Sequence, residues 1–268
     1  MSEWKGKTVL ITGASYGIGE SFARRLASDG ANLVLTARSL DRLETLANEL
    51  RATHHVNVAV IQSDLAQPTA PTALFQKTEE QGLQIDLLIN NAGFGQVGDF
   101  PDLPLDRQIE MIQVNVTALT ALSHLYLQPM LKRRSGAILN LASTASFQGV
   151  PYFSVYAATK AFILILSEGL WAECQPFGVR VIALCPGATG THFQAVAGTE
   201  NHTRPVKMQT PEEVVEVGLK ALAENRSVAI SGFNNRAMVF IERFVPRSFV
   251  TGLATKRYRP FSTRSAAK

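Results

Sequence analysis

Short apolar runs alternate with longer amphipathic segments along most of the chain. The apolar runs predict strands near residues 8–12, 32–37, 56–62, 85–90, 136–142, 179–185 and 227–231. Between them, apolar side chains recur at helical spacing and predict helices near 17–29, 39–51, 70–81, 105–132, 153–175 and 211–224, the fourth with a break near Asn115. This alternation predicts an α/β fold, a doubly wound parallel sheet of about seven strands with helices on both faces.

Two regions depart from this alternation. Residues 190–210 are polar and lack a period, and residues 236–268 continue beyond the last predicted strand. No internal repeat, low-complexity segment or interdomain linker separates these regions from the rest of the chain. We therefore expect a single domain over residues 1–268, with 236–268 as a C-terminal extension.

A glycine-rich loop follows the first predicted strand. The segment Thr12-Gly13-Ala14-Ser15-Tyr16-Gly17-Ile18-Gly19 joins that strand to a predicted helix. Strand, glycine turn and helix form the opening unit of a Rossmann-type dinucleotide-binding fold, in which the backbone approaches the pyrophosphate and the helix N-terminus faces it. The spacing is G-x-x-x-G-x-G rather than the more familiar G-x-G-x-x-G. A plain tight turn would also fit the loop taken alone.

Tyr156 and Lys160 are four residues apart within the predicted helix 153–175. This spacing places both side chains on one helical face. A phenol is a poor proton donor at neutral pH, and a neighbouring ammonium lowers the pKa of a phenol because it stabilises the phenolate. The pair is therefore suited to exchanging a proton with a carbonyl or alcohol oxygen. Taken alone, the Y-x-x-x-K motif also fits an ordinary amphipathic helix without a catalytic role.

Together, these motifs resemble the short-chain dehydrogenase/reductase family over about residues 5–231. The cofactor loop matches at 12–19, the N-N-A-G motif at 90–93 and the P-G motif at 186–187. A serine lies 13 residues before the tyrosine of the Y-x-x-x-K motif, and an asparagine stands in Q-V-N-V, as in the family. Thr159 departs from the serine that is commoner before the lysine. The resemblance implies four catalytic residues: Asn115, Ser143, Tyr156 and Lys160.

The resemblance also implies a nicotinamide dinucleotide at the carboxyl ends of strands arranged in the order 3-2-1-4-5-6-7. The implied cofactor-binding positions lie in the glycine loop, after later strands, in the Tyr/Lys pair and around the P-G motif: Gly13, Ser15, Tyr16, Gly17, Ile18, Gly19, Arg38, Ser39, Asp64, Leu65, Asn90, Asn91, Ala92, Gly93, Tyr156, Lys160, Pro186, Gly187, Thr189 and Thr191. Residues 190–210 would form a mobile lid over the substrate.

The activity implied by the resemblance is reversible hydride transfer between the nicotinamide and a carbonyl or secondary alcohol. Tyr156 would exchange the proton with the substrate. Lys160 would lower the pKa of Tyr156 and hold the nicotinamide ribose, and Ser143 would donate a hydrogen bond to the reacting oxygen. Asn115 would organise a water and the lysine. An NADP-binding sensor or scaffold without turnover stays open because a fold does not settle function, although a pure binder does not need all four of these side chains.

The end of the second predicted strand bears on cofactor choice. NAD-specific sites place an acidic residue there to bind the ribose 2′-hydroxyl, but the segment Leu35-Thr36-Ala37-Arg38-Ser39 contains none. Arg38 is suited to a 2′-phosphate because its guanidinium is planar and always charged. We therefore expect NADP rather than NAD. Against this, Tyr16 stands where many NADP-using members of the family have a second basic residue.

Side chains that flank the catalytic motifs predict a largely apolar substrate pocket: Phe94, Phe147, Val150, Tyr152, Phe153 and Phe193. Burial in the core would account for them equally well. The resemblance implies a homodimer or homotetramer, and the helices of Asn115 and Tyr156 carry apolar candidates for its contacts at Leu119, Leu122, Leu125, Phe162, Ile165 and Leu166.

Other classes of ligand and location receive no support from the sequence. The five histidines lack metal-ligand spacing, so we expect no metal. No nucleic-acid-binding motif accompanies the basic residues, so we expect no nucleic acid. The N-terminus has no secretory signal, which favours a cytoplasmic location.

The C-terminal extension is strongly basic. Residues 236–268 contain eight basic residues and one acid, Glu242, which gives this extension a formal charge of +7. Because the whole chain has a formal net charge of +4, the rest of the chain carries −3. Apolar residues lie among these charges, in segments separated by Pro246. We expect residues 236–255 to form a helix that docks on the body and shapes the substrate pocket, and the last ten residues to be mobile. Contact with an anionic membrane surface is a second possibility and a loose basic end a third.

Overall fold

Seven parallel strands form one sheet in the order β3-β2-β1-β4-β5-β6-β7, as predicted. A computed structural model gives the structure of residues 3–198 and 208–258. Within them the strands are β1 Thr8–Thr12, β2 Asn32–Thr36, β3 Val58–Val60, β4 Leu87–Asn90, β5 Gly136–Leu141, β6 Val179–Cys185 and β7 Val228–Ile230. The order reverses between β1 and β4, the place where ligands bind in sheets of this kind.

Ten α-helices accompany the sheet in the described part of the chain. They are α1 Gly17–Ser28, α2 Leu40–His54, α3 Ala70–Glu80, α4 Leu105–Ile112, α5 Leu119–Arg133, α6 Ser154–Cys174, α7 Phe193–Ala197, α8 Pro211–Ala223, α9 Phe233–Glu242 and α10 Arg247–Tyr258. Helix α7 has no predicted counterpart, and two helices, α9 and α10, occupy the segment for which one docked helix was predicted. Residues 199–207 of the predicted lid and the last ten residues of the extension lie outside the described residues.

The sheet separates two large apolar clusters. Val9 and Ile11 of β1 belong to the cluster with α1, α2 and α8, whereas Leu10 belongs to the cluster with α3 and α5. All three side chains are fully buried. This explains the uninterrupted apolar runs of the sequence, since a parallel strand covered on both faces has no polar side.

The predicted helix break near Asn115 was wrong. The helix continues from α4 to α5 through a π-helical segment, Gln113–Ala118. A π-turn inserts an extra residue without ending the helix, and such turns are frequent at functional sites. It brings Asn115 into the interior with no solvent exposure.

One helical segment among the described residues, Ser154–Phe177, is long and apolar enough to cross a membrane by length and composition. It includes α6, whose Ile163 and Leu164 are buried against residues of β6. A core helix passes the same test, and the packing of α6 against the sheet accounts for its apolar character.

Candidate active site

A single cavity of about 2040 Å³ lies at the carboxyl ends of the strands. It brings together residues that follow β1, β2, β4, β5 and β6 and are far apart in sequence. The predicted site residues that line it are Gly13, Ser15, Tyr16, Gly17, Ile18, Arg38, Ser39, Asp64, Leu65, Asn91, Ala92, Gly93, Ser143, Tyr156, Lys160, Pro186, Gly187, Thr189 and Thr191. Gly19, Asn90 and Asn115 do not line it.

Gly19 and Asn90 have structural positions behind the cavity wall. A Cβ on Gly19 would lie 2.3 Å from the carbonyl oxygen of Gly13, so this glycine permits close packing of the loop. Asn90 is buried within the sheet, where its Nδ2 donates to Asn140 Oδ1 at 2.9 Å and to Ser123 Oγ at 3.0 Å. Strand alternation explains the difference from Asn91, because successive side chains point to opposite faces.

The glycine loop has room and donors for a pyrophosphate. Gly13 and Gly17 both have positive φ, at 65° and 57°, which favours glycine. At the N-terminus of α1, the N-cap residue Tyr16 makes no side-chain capping hydrogen bond. The first backbone N–H groups of the helix are therefore available to an anion, and Gly17 and Ile18 line the cavity there. The loop fits the phosphates of a dinucleotide.

Asn91 and Thr12 fix the shape of this loop. Asn91 Nδ2 donates to the carbonyl oxygens of Thr12 at 2.9 Å and Gly13 at 3.0 Å. Thr12 Oγ1 in turn accepts from the backbone N–H groups of Asn91 and Ala92, both at 3.0 Å. The two loops after β1 and β4 are thus locked to each other beneath the cavity.

Lys160 is almost completely buried, and its Nζ donates to the carbonyl oxygen of Leu141 at 2.6 Å. Its Nζ lies 5.7 Å from the centroid of the Tyr156 ring. Burial lowers the pKa of Lys160 to about 8, and nearby Cys185 opposes this shift. Burial also raises the pKa of Cys185 to about 12, so its thiol is neutral at pH 7 and its opposing effect is small. The lysine is still mainly protonated at pH 7.

Ser143 combines a capping role with a position on the cavity wall. Its Oγ accepts from the backbone N–H of Ala145 at 3.1 Å, at the start of the 3₁₀ turn Thr144–Phe147. Ser146 Oγ completes this cap and donates to the carbonyl oxygen of Lys160 at 2.8 Å. A hydroxyl that accepts one hydrogen bond still has its own proton to donate. Ser143 can therefore both hold the turn and donate to a substrate oxygen.

Asn115 contacts the backbone of the loop after β4. Its Nδ2 donates to the carbonyl oxygen of Phe94 and to Thr159 Oγ1, both at 3.0 Å, and its Oδ1 accepts from the N–H of Phe94 at 3.1 Å. Thr159 Oγ1 also donates to the carbonyl oxygen of Tyr156 at 2.7 Å. The carboxamide thus ties the loop of Phe94 to the helix of Tyr156. Its predicted role in organising a water stays a prediction.

Aromatic rings surround Tyr156, the predicted proton-transfer residue. Phe153 stacks on Tyr156 with centroids 4.3 Å apart, and Phe193 of α7 lies 5.4 Å from the same ring. Of the predicted pocket side chains, Phe94, Val150, Phe153 and Phe193 line the cavity. Phe147 and Tyr152 do not and instead pack against buried apolar clusters.

Arg38 lies on the cavity wall at the end of β2, as expected for a ligand of the adenine end of a dinucleotide. Its Nη1 is 3.9 Å from Glu110 Oε1, and its side chain is largely exposed. A second guanidinium was missed from the sequence: Arg42 of α2 lies 3.9 Å over the ring of Tyr16. Tyr16 also stacks on His192, with centroids 5.1 Å apart. The sequence does contain a signal for Arg42: it lies four residues after Arg38, at the start of a predicted helix, so both guanidinium groups are expected on one side of the chain.

A family model described as short chain dehydrogenase matches residues 7–202. The chain belongs to the short-chain dehydrogenase family. This match spans the glycine loop, the Tyr/Lys pair and the P-G motif, all of which meet at the cavity. The fold and the family membership predicted from the sequence are confirmed.

Members of the family with known names are similar over most of the chain. A 7beta-hydroxysteroid dehydrogenase of Collinsella aerofaciens is 32% identical, over 89% of this chain and 91% of its own. A short-chain dehydrogenase from Sphingobium yanoikuyae in complex with NADPH is 39% identical, with a TM-score of 0.79 over 84% of this chain and 87% of its own. One from Burkholderia phymatum in complex with NAD is 26% identical, with a TM-score of 0.80 over 92% and 98%.

These relatives decide the class of activity. This short-chain dehydrogenase is an oxidoreductase that transfers hydride between a nicotinamide cofactor and a carbonyl or alcohol group. A sensor or scaffold without turnover is not favoured, because the relatives are dehydrogenases by name.

The C-terminal extension contributes part of the short-chain dehydrogenase cavity that the motifs did not reveal. Its cavity-lining residues come from α9, α10 and the turn between them: Ala237, Met238, Ile241, Glu242, Val245, Phe249, Val250, Leu253 and Ala254. Just before them, Asn235 contacts the P-G motif so closely that a Cβ on Gly187 would lie 2.3 Å from its Nδ2. Its Nδ2 donates to the carbonyl oxygen of Ser231 at 2.7 Å. The sequence predicted a docked segment at residues 236–255, and Pro246 divides it into the two helices α9 and α10.

Proposed function

We propose that this enzyme uses NADP and catalyses the reversible reduction of bulky, largely apolar carbonyl compounds. One observation carries the proposal. The cavity joins the glycine loop and Arg38 at one end to Ser143 and Tyr156, and then continues along the apolar side chains of α9 and α10. Its volume of about 2040 Å³ exceeds the roughly 300–1,000 Å³ of most small-molecule sites. It offers space for a dinucleotide and a large second ligand.

Each catalytic side chain is assigned one task. The nicotinamide supplies or accepts hydride when it is bound. Tyr156 transfers a proton to or from the reacting oxygen, and Ser143 donates a hydrogen bond to it, which strengthens as negative charge develops. Lys160, held by Leu141, keeps positive charge beside Tyr156. Asn115 is a positioning residue that fixes the loop of Phe94 against α6.

Preference for NADP rests on charge at the end of β2. Arg38 lines the cavity, and Arg42 lies over Tyr16, so two guanidinium groups are near the adenine end of the site. No acidic residue takes the position after β2 that would bind a ribose 2′-hydroxyl. Glu110, the carboxylate nearest Arg38, lies at 3.9 Å and also bonds Arg107, so Arg38 stays free to turn to a 2′-phosphate.

The substrate end of the cavity is largely apolar, and Glu242 is the charged side chain that α9 and α10 contribute to it. Phe153, Phe193 and the side chains of α9 and α10 supply most of its surface. Burial raises the pKa of Glu242, and its Oε2 is buried without a hydrogen-bond partner in the described part of the chain. A second polar group of the substrate, such as a hydroxyl, would satisfy this carboxyl. We therefore assign a bulky apolar ketone that carries a further polar group. The steroid named for one relative has this general character.

Residues 190–210 are assigned to a lid over the substrate. Thr191 and Phe193, near its start, line the cavity, and Phe193 lies beside Tyr156. Gln194 Nε2 donates to the carbonyl oxygen of Thr189 at 2.5 Å and so holds the beginning of α7 against the P-G motif. Movement of its described start, residues 190–198, would open and close the substrate end of the cavity.

A homo-oligomer is proposed through α4 and α6. Large apolar side chains on these helices are exposed: Leu105, Ile109, Ile112, Phe162 and Ile165. Exposed apolar patches of this kind mark interaction sites. Leu119 and Leu122, predicted from the sequence for the same contact, are buried within the subunit and do not contribute. Light scattering of the wild-type protein should show an oligomer. The double variant Ile109→Glu with Ile165→Glu should be a monomer. A wild-type monomer at micromolar concentration would contradict this.

Cofactor titration and a ketone panel test the proposal together. NADPH should bind more tightly than NADH, and Arg38→Ala should weaken NADPH binding about tenfold to a hundredfold while it leaves NADH nearly unchanged. Arg226→Ala, at an exposed ion pair before β7, is the matched control and should change neither. NADPH oxidation should be fastest with bulky ketones, and Glu242→Gln should raise KM most for those with a second polar group. Equal use of NADH, or a preference for small ketones, would contradict the proposal.

A further inference from the structure

The helix α9 has two neighbouring faces with different surroundings. Met238, Ile241 and, beyond the helix, Val245 line the cavity. On the adjacent face of α9, Phe233, Arg236 and Phe240 follow at intervals of three and four, which keeps them on one side of the helix. Arg243 and Phe244 follow directly after α9, and Arg247 is the first residue of α10. We call these six side chains the basic aromatic face. All six are exposed.

The aromatic members of this face are unusually accessible for a protein surface. The exposed fractions are 77% for Phe233, 60% for Phe240 and 74% for Phe244. The rings of Phe240 and Phe244 lie edge to face, with centroids 5.3 Å apart, so they present one combined apolar surface. None of the three lines the cavity. Packing within the described residues therefore does not account for them, and a contiguous exposed apolar patch marks an interaction site.

The positive charge of the basic aromatic face favours an anionic partner. Arg236, Arg243 and Arg247 are exposed among the phenylalanines, and the acid of this region, Glu242, turns to the cavity instead. The extension holds +7 of formal charge while the remaining chain holds −3. An aromatic surface surrounded by arginines is complementary to an anionic lipid surface, where the rings enter the headgroup boundary and the guanidinium groups meet phosphates. A second copy of this chain would instead bring the same positive charges together.

We propose that the basic aromatic face seats the enzyme on an anionic membrane surface. The position of the cavity gives this contact a consequence. Ile241, Phe249 and Leu253 line the cavity and are also exposed, so they form a rim beside the basic aromatic face. On a membrane this rim faces the lipid, and an apolar substrate enters the cavity from the bilayer. This second part rests on the proposed function, whereas the docking does not.

Vesicle flotation of the full chain tests the docking. Vesicles of phosphatidylcholine with phosphatidylglycerol should bind the protein, and vesicles of phosphatidylcholine alone should not. The double variant Phe240→Ser with Phe244→Ser should weaken binding at least about tenfold. The triple variant Arg236→Gln, Arg243→Gln and Arg247→Gln should weaken it on the order of a hundredfold. Phe100→Ser, which removes a similarly exposed aromatic side chain outside the extension, should leave vesicle binding unchanged.

The melting temperature and reduction of a water-soluble ketone report whether the variants fold, and both should match the wild type. Equal binding to neutral and anionic vesicles, or unchanged binding by the phenylalanine variant, would overturn the docking. Loss of an oligomer in the phenylalanine variant would overturn it in favour of a second copy. Anionic vesicles should also raise kcat/KM for a ketone dissolved in lipid. Vesicle binding without reduction of any ketone would leave the docking supported and contradict the proposed function.

Discussion

Lys160 Nζ and the carbonyl oxygen of Leu141 are 2.6 Å apart, inside the protein and at the end of β5. This hydrogen bond orients the ammonium, but burial still makes its charge costly and lowers the pKa of Lys160 to about 8. The site thus keeps a positive charge beside Tyr156 in a buried position, where the charge is poorly solvated. Such an arrangement costs stability in exchange for activity.

Lys160→Met should therefore separate activity from stability. Turnover should fall by at least about a hundredfold, while the melting temperature at pH 7 should equal or exceed that of the wild type. The pKa of Lys160 is lower in the folded state than in the unfolded one, so the unfolded state binds more protons between about pH 8 and 10.5. Wild-type stability should gain from this group as pH rises through that window, and the advantage of the variant should narrow. A lower melting temperature for Lys160→Met at pH 7 would contradict the cost assigned to the buried charge.

Gly17→Ala should damage cofactor binding. Gly17 has φ of 57°, and a Cβ there would lie 2.9 Å from the Cβ of Thr191. Strain at positive φ costs about 1–3 kcal/mol, and the contact would displace Thr191 from the cavity wall. We expect NADPH affinity to fall at least about tenfold by fluorescence titration. Gly169→Ala is the matched control, because a Cβ on this helical glycine meets nothing within 4 Å. It should leave NADPH affinity intact and raise stability by about 0.5–1 kcal/mol.

The sequence predicted the sheet and most of the site because both depend on local signals. Apolar runs and helical periods specify β1 to β7 and α1 to α6, and the motifs specify Ser143, Tyr156 and Lys160. Three features required the fold. The π-turn at Asn115 inserts one extra residue, so the apolar period shifts there in the same way as at a break between two helices. The sequence predicted that the extension docks beside the substrate, but which side chains of α9 and α10 line the cavity depends on packing that no local pattern records. Asn90 and Asn91 differ only by strand alternation at the point where β4 ends.

Asn90→Ala tests whether Asn90 stabilises the sheet, unlike Asn91, which lines the cavity. Removal of its hydrogen bonds to Ser123 and Asn140 leaves buried polar groups without partners, which should lower the free energy of unfolding by about 1–3 kcal/mol. Affinity for NADPH should stay within about twofold of the wild type, because Asn90 does not line the cavity. Chemical denaturation and fluorescence titration of the same sample measure both quantities. Unchanged stability with weakened NADPH binding would restore Asn90 as a cofactor ligand.

Tyr156→Phe removes the hydroxyl that exchanges the proton during reduction. Single-turnover NADPH oxidation by a bulky ketone, measured with both ligands saturating, should fall below about a hundredth of the wild-type rate, since a positioned acid contributes about 10²–10⁴-fold. NADPH affinity should change little. Tyr126→Phe removes a buried hydroxyl bonded to Thr78 far from the cavity, and it should keep the wild-type rate. A Tyr156→Phe enzyme that retains more than about a tenth of that rate would contradict this role of Tyr156.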